Sequence, residues 1–95
     1  MYKVLFVDDE ALIREAITEN IPWKTLGYQL TGACRNGKEA MDRIRRDPPD
    51  LLLTDINMPY MDGIQLAKLV YEEYKDSKVV ILSGYDDFEY AKQAV

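Results

Sequence analysis

Histidine is absent from the 95-residue chain, and cysteine occurs only once. Without histidine, the chain cannot build Ser-His-Asp or Cys-His catalysis, most kinds of zinc site, or a phosphohistidine of its own. The single cysteine, Cys34, has no partner for an internal disulfide. A reducing cytoplasm is therefore the compartment that the cysteine content favours.

Long hydrophobic runs and an excess of positive charge are missing as well. The longest apolar runs, Val4–Val7 and Val79–Leu82, are too short to span a bilayer. Twelve basic residues against seventeen acidic ones give a net charge of −5, which argues against direct binding to a nucleic-acid backbone. The first residues carry no secretory signal pattern. A composition of 47% hydrophobic and 31% charged residues fits one small globular domain.

Short apolar runs alternate along the chain with segments of helical period. The predicted strands are Lys3–Val7, Gln29–Cys34, Leu51–Thr54 and Lys78–Ser83, and the predicted helices are Ala11–Asn20, Gly37–Asp47, Gly63–Tyr74 and Phe88–Val95. Strands that are joined by helices lie parallel, with helices on both faces of the sheet. The sequence therefore predicts an α/β fold with a doubly wound parallel sheet, in a single domain over residues 1–95.

The helical period also predicts which side chains face the core. In the third predicted helix we expect Ala67, Val70, Tyr71 and Tyr74 to point inward, and we expect Asp62 to be the N-cap. The inward residues expected in the second predicted helix are Ala40, Met41 and Ile44.

Polar residues follow each of the three most apolar strands. Asp8 and Asp9 follow the first, Asp55 follows Leu51–Thr54, and Ser83 follows Val79–Leu82. Because parallel strands end at one edge of a sheet, where open α/β sheets bind ligands, we expect three carboxylates and a hydroxyl in one crevice.

Three carboxylates in one crevice need a proton or a cation. Two of them about 4 Å apart repel by roughly 4 kcal/mol at an effective dielectric constant near 20. All-oxygen ligands favour a hard divalent cation, and Mg²⁺ fits best. With a cation in place the site favours a phosphoryl group, which a third carboxylate can attack. Turn and helix-cap chemistry is the alternative interpretation for Asp8, Asp9 and Asp55 taken one at a time.

These residues resemble the receiver domain of two-component response regulators. The matching segments are Val7–Glu10, Thr54–Pro59 with Met61–Gly63, and Ile81–Gly84, in the same order over the whole chain. Ile21–Trp23 and Ser83–Ala91 further resemble regulators that carry an AraC-type DNA-binding domain.

The resemblance implies a role for each matching residue. Asp55 would be the nucleophile that takes a phosphoryl group from the phosphohistidine of a partner kinase. Asp9 would be a direct Mg²⁺ ligand, Asp8 would act through bound water, and Asn57 would supply its backbone carbonyl. Ser83 would contact the phosphoryl group and move when phosphate arrives.

The resemblance also implies partners and a longer fold. The partners expected are a sensor histidine kinase, a C-terminal DNA-binding output domain in the parent protein, and a second copy in a homodimer. The flavodoxin-like receiver fold has five strands and five helices, so the chain is expected to stop before the fifth strand, the fifth helix and the lysine that clamps the phosphoryl oxygens. We therefore expect a C-terminally incomplete receiver that catalyses only its own phosphorylation and dephosphorylation.

Two alternatives remain open at this level. One is a phosphohydrolase with an aspartyl-phosphate intermediate, although such enzymes commonly place a second acid two residues after the nucleophile, where this chain has Asn57. The other is a receiver-like interaction domain that is not phosphorylated.

Overall fold

The computed structural model describes residues 1–82, which form one four-stranded sheet and three helices. The strands are β1 (Tyr2–Val7), β2 (Tyr28–Cys34), β3 (Leu51–Asp55) and β4 (Lys78–Leu82), and the helices are α1 (Ala11–Asn20), α2 (Gly37–Arg46) and α3 (Gly63–Glu73). Their order and type agree with the prediction. The predicted helix Phe88–Val95, and Ser83 after the fourth strand, lie outside the described residues.

The sheet is parallel throughout, with the strand order β2-β1-β3-β4. From β1 the chain moves to one edge of the sheet, and from β2 it crosses back over β1 to β3 and β4. Because such crossovers are right-handed, this reversal puts α1 on one face and places α2 and α3 on the other. The doubly wound architecture is confirmed, and its topological switch point lies between β1 and β3.

The main core lies between the sheet and the α2–α3 layer. Leu5 and Val7 of β1 belong to it, whereas Val4 and Phe6 alternate with them and are fully buried on the opposite face. The other buried members of this core are Cys34, Ala40, Met41, Ile44, Leu52, Met58, Leu66 and Val70. The inward residues predicted for the second helix are thus confirmed.

The N-terminus of α3 agrees with the prediction that Asp62 caps it. The Asp62 side chain accepts a hydrogen bond from the Gln65 N–H at 2.8 Å, and the Gln65 side chain accepts one from the Asp62 N–H at 3.0 Å. This reciprocal pair is a capping box.

The prediction that Tyr71 faces inward is wrong. Tyr71 is 77% exposed, while the buried residues of α3 are Gly63, Leu66 and Val70. With 3.6 residues per turn, the residue after Val70 lies about 100° away around the helix, beyond the buried face. Tyr74 is partly buried against the core, as expected.

A β-bulge interrupts the pairing of β2 with β1. Val4 pairs with Leu30 but Leu5 pairs with Gly32, so Thr31 is the extra residue. The Thr31 hydroxyl donates to the Val4 carbonyl at 3.2 Å, and the Arg43 guanidinium donates to the Thr31 carbonyl. The bulge is therefore held by specific hydrogen bonds.

Between residues 1 and 82, none of the helices has the length and apolar character needed to cross a membrane.

Candidate functional site

Three carboxylates meet at the topological switch point. Asp8 and Asp9 directly follow β1, and Asp55 is the last residue of β3. Each offers an oxygen, and these three oxygens lie within 4.8 Å of one another. The pairing of Val7 with Thr54 explains the approach, because it aligns the ends of the two strands. The predicted clustering of the three carboxylates is present.

Asp8 is fixed by three hydrogen bonds to three different parts of the chain. Its N–H donates to the Cys34 carbonyl at the end of β2, at 3.0 Å. Its carboxylate Oδ1 accepts from the Glu10 N–H at 2.9 Å, and its carbonyl accepts from Nη1 of Arg14, also at 2.9 Å. The aspartate therefore has little freedom to turn away from the crevice.

The electrostatics of Asp8 are those of a carboxylate removed from water beside another acid. It is only 7% exposed, and burial is the main cause that raises its pKa above the ordinary value. The hydrogen bond from Glu10 lowers that pKa, the negative charge of Asp9 raises it, and the nearby Arg14 guanidinium lowers it. The ionised form of Asp8 is therefore disfavoured unless a cation is bound.

The connection between β3 and α3 holds Asp55 from the other side. Ile56 is fully buried, and Met58 is part of the core. The Gly63 N–H donates to the Ile56 carbonyl at 2.8 Å, which brings the start of α3 onto the end of β3. A Cβ placed on Gly63 would lie 2.0 Å from the Asp55 carbonyl oxygen, so only glycine permits this approach.

The remaining predicted site residues are placed as follows. Asn57 is exposed in the loop two residues after Asp55, and Ser83 lies outside the described residues. Sequence reasoning missed two contributors, Arg14 and Gly63. The sequence predicts Asp62 and Gly63 as a helix start within the receiver-like segment Met61–Gly63, but it does not predict the contact of Gly63 with Asp55. No residue spacing indicates that Arg14 reaches back six residues to Asp8.

The donor set suits a hard divalent cation. Asp8, Asp9 and Asp55 offer carboxylate oxygens alone, and the burial of Asp8 leaves its charge poorly solvated, which a dication would correct. Mg²⁺ accepts carboxylates and carbonyls while retaining several waters, which fits a crevice where Asp9 is exposed. These residues therefore fit Mg²⁺.

A doubly wound parallel sheet with an acidic cluster at its switch point is typical of flavodoxin-like receiver folds. A sequence model described as the response regulator receiver domain matches residues 4–95. The chain therefore belongs to the response regulator receiver family.

Relatives in this family include transcriptional regulators. The chain is 41% identical over 95 residues to an uncharacterized transcriptional regulatory protein, YesN, of Bacillus subtilis, and covers 26% of its length. It is 39% identical over 95 residues to the transcriptional regulatory protein HptR of Staphylococcus aureus, covering 37% of that protein. All of this chain is matched in both cases, and it spans between about a quarter and somewhat more than a third of the length of these relatives.

Solved structures with the same fold include receiver domains of other response regulators. A two-component transcriptional regulator AraC from Clostridium phytofermentans matches with a TM-score of 0.92 and 40% identity, covering 100% of this chain and 74% of that one. The receiver domain of AraT, a response regulator from Geobacillus stearothermophilus, matches with a TM-score of 0.89 and 39% identity, covering 98% and 72%. The expected relationship to two-component response regulators is borne out by these similarities, and one of the two regulators is named AraC.

Proposed function

We propose that this chain is a Mg²⁺-dependent phosphoacceptor switch, in which Asp55 accepts a phosphoryl group from a histidine kinase. The observation that carries the proposal is the meeting of Asp8, Asp9 and Asp55 at the switch point of the sheet. Membership of the receiver family supports it. We assign the whole of residues 1–95 to one receiver domain.

The chemistry follows from the arrangement of the carboxylates. An Asp55 carboxylate oxygen attacks the phosphorus of the donor phosphohistidine, a P–O bond forms, and the P–N bond to the imidazole breaks. The product is an acyl phosphate on Asp55. Asp8, Asp9 and the Asn57 carbonyl, together with Asp55, would hold Mg²⁺. When bound, the cation would offset the charge of the carboxylates and of the phosphoryl oxygens.

Ser83 is assigned the second contact to the phosphoryl group, through its hydroxyl. This assignment rests on the receiver pattern Ile81–Gly84 that follows the fourth strand. A hydroxyl at that place donates to a phosphoryl oxygen once Asp55 is modified. Its movement would carry the signal to the surface beyond β4.

The proposed partners follow from the missing histidine and from the relatives. The phosphohistidine has to come from outside these 95 residues, because they contain no histidine, and we assign it to a sensor histidine kinase. Since YesN and HptR are described as transcriptional regulators and are about three to four times longer than this chain, we assign the output to a DNA-binding domain in the parent protein. Because these 95 residues carry a net charge of −5, we assign contact with DNA to that output domain. The compartment that this function implies is the cytoplasm. Homodimerisation of the phosphorylated form belongs to the same proposal.

Mass spectrometry tests the chemistry directly. The chain is incubated with phosphoramidate and Mg²⁺, and intact masses are recorded for wild type, Asp55→Asn and Asp42→Asn. Asp42 is the matched control because it is an exposed aspartate on α2 that pairs with Arg45 at 3.4 Å, away from the cluster. We expect one added phosphoryl group in wild type and in Asp42→Asn, none in Asp55→Asn, and none when EDTA replaces Mg²⁺.

Two results would contradict the proposal. An unmodified wild-type chain under these conditions would favour the interaction-domain alternative. Release of many equivalents of phosphate per chain from a phosphomonoester would favour the phosphohydrolase.

A further inference from the structure

Within the described part of the chain, helix α1 has no buried residue, and its N-cap residue Glu10 makes no side-chain capping hydrogen bond. Two side-chain hydrogen bonds tie the helix to the segments before and after it. Nη1 of Arg14 donates to the Asp8 carbonyl at 2.9 Å, and Nε1 of Trp23 donates to the Ile17 carbonyl at 3.1 Å. The first of these ties ends directly at the acidic cluster.

The Arg14 side chain donates its hydrogen bond to the main-chain carbonyl of Asp8 and not to a carboxylate. An arginine beside three acids is expected to pair with a carboxylate, as bidentate Arg–carboxylate contacts are the strong ones. Here the guanidinium instead binds the carbonyl of Asp8, while Oδ1 of Asp8 accepts from the Glu10 N–H. These two hydrogen bonds fix the connection from β1 to α1. In the same arrangement, carboxylate oxygens of Asp8, Asp9 and Asp55 lie within 4.8 Å of one another.

We propose that Arg14 is a positioning residue for the divalent cation, acting through the Asp8 carbonyl and not through its charge. The inference rests on the proposed function. A permanent positive charge so close to the carboxylates opposes a cation, so the charge of Arg14 works against Mg²⁺ binding. The hydrogen bond from Arg14 favours Mg²⁺ binding, because it holds the Asp8–Asp9 turn in place at the end of β1. Outer contacts that orient metal ligands commonly contribute 10- to 100-fold, as an order of magnitude, to affinity.

The two effects can be separated with a pair of neutral replacements. Arg14→Met removes the charge and the donor, whereas replacing Arg14 by citrulline removes the charge and keeps an N–H₂ donor of nearly the same reach. The single Cys34 makes the second protein accessible, since synthetic residues 1–33 can be ligated at that cysteine to expressed residues 34–95. Arg45→Met is the matched control for net charge, because Arg45 is an exposed arginine on α2 paired with Asp42.

The measurement is Mg²⁺ affinity by titration calorimetry, with the unfolding midpoint and amide hydrogen exchange recorded for each protein. We expect Arg14→Met to bind Mg²⁺ about tenfold more weakly than the citrulline protein. We also expect faster exchange of the Glu10 N–H in Arg14→Met alone, since that amide reports the Asp8 turn. The citrulline protein should bind at least as tightly as wild type, and Arg45→Met should match wild type.

Equal Mg²⁺ affinities for the Met and citrulline proteins, both tighter than wild type, would overturn the inference and leave Arg14 as a source of charge only. A fall in affinity that tracks a lower unfolding midpoint in both proteins would also overturn it, since that result indicates a purely structural role. A wild-type chain with no saturable Mg²⁺ binding would instead refute the metal site of the proposed function. The failure of either proposal is therefore distinguishable.

Discussion

Replacing Gly63 by alanine tests how closely α3 must approach the end of β3. The added Cβ would lie 2.0 Å from the carbonyl oxygen of Asp55, 2.9 Å from its carbonyl carbon and 3.0 Å from Cα of Ile56. Real Cβ atoms stay at least 3.0 Å from such neighbours, so the start of the helix and the strand end must separate by at least about 1 Å (3.0 − 2.0). All three neighbours are backbone atoms that cannot rotate away.

The expected cost is an overpacking penalty together with a displaced site. We expect Gly63→Ala to lower the free energy of unfolding by about 2–3 kcal/mol, because no flexible side chain can relieve the contact. Since the clash is with Asp55 itself, we also expect phosphorylation of Asp55 to slow by up to about 100-fold, the scale on which a 1 Å displacement acts. Urea unfolding monitored by Trp23 fluorescence measures the first effect, and intact-mass kinetics with phosphoramidate measure the second.

Gly27→Ala is the matched control. Gly27 has a φ of +89° but nothing within 4 Å of its added Cβ, so its alanine variant carries backbone strain without a clash. We expect Gly27→Ala to lower the free energy of unfolding by about 1–2 kcal/mol and to keep the wild-type rate of phosphorylation. If both variants lose the same stability and Gly63→Ala is phosphorylated at the wild-type rate, the close approach of α3 to Asp55 is refuted.

The remaining predictions concern the acid cluster, the core thiol and the loop after β3. Because burial raises the pKa of Asp8, its ionised form destabilises the metal-free fold above that pKa, and the penalty disappears as the pH falls below the ordinary value of 3.8. Asp8→Asn should therefore raise the unfolding midpoint in EDTA at neutral pH but not in acid, and equal midpoint shifts at both pH values would contradict this reasoning. Burial raises the pKa of Cys34 to about 11, so the native thiol should react with Ellman's reagent many times more slowly than in urea. Tyr60 is fully exposed at a φ of 70°. Because asparagine tolerates this left-handed conformation better, Tyr60→Asn should raise the free energy of unfolding, measured in urea, by about 1 kcal/mol. A lower free energy of unfolding would show that the tyrosine ring makes a stabilising contact.

The order of elements was predictable because hydrophobic period and turn residues act locally. Pro48 and Pro49 end the second helix, and Asp62 begins the third with its capping box. The same local logic located the acids at the strand ends. Parallel strands expose their carboxyl ends together whatever the details of packing, so the cluster could be expected before its geometry was known.

The failures occur where a contact depends on three-dimensional shape. The helical period predicts Tyr71 on the core face together with Val70, but the buried face of α3 is formed by Gly63, Leu66 and Val70. The reach of Arg14 to Asp8 depends on the angle at which α1 leaves the strand, which no residue spacing specifies. Propensity and period predict the elements, whereas their mutual orientation comes from packing.

The distances within the acidic cluster themselves derive from the packing of the core. In β3 the fully buried Leu52 and Thr54 pair with Leu5 and Val7, so the core fixes the register of the two strands. Shifting that register by one residue would move Asp55 by about 3.3 Å along the strand and turn its side chain to the other face. The carboxylates would then separate although the local motif around Asp55 was unchanged. The motif therefore supplies the chemical groups, while buried side chains in the preceding residues of β1 and β3 set the spacing that a cation requires.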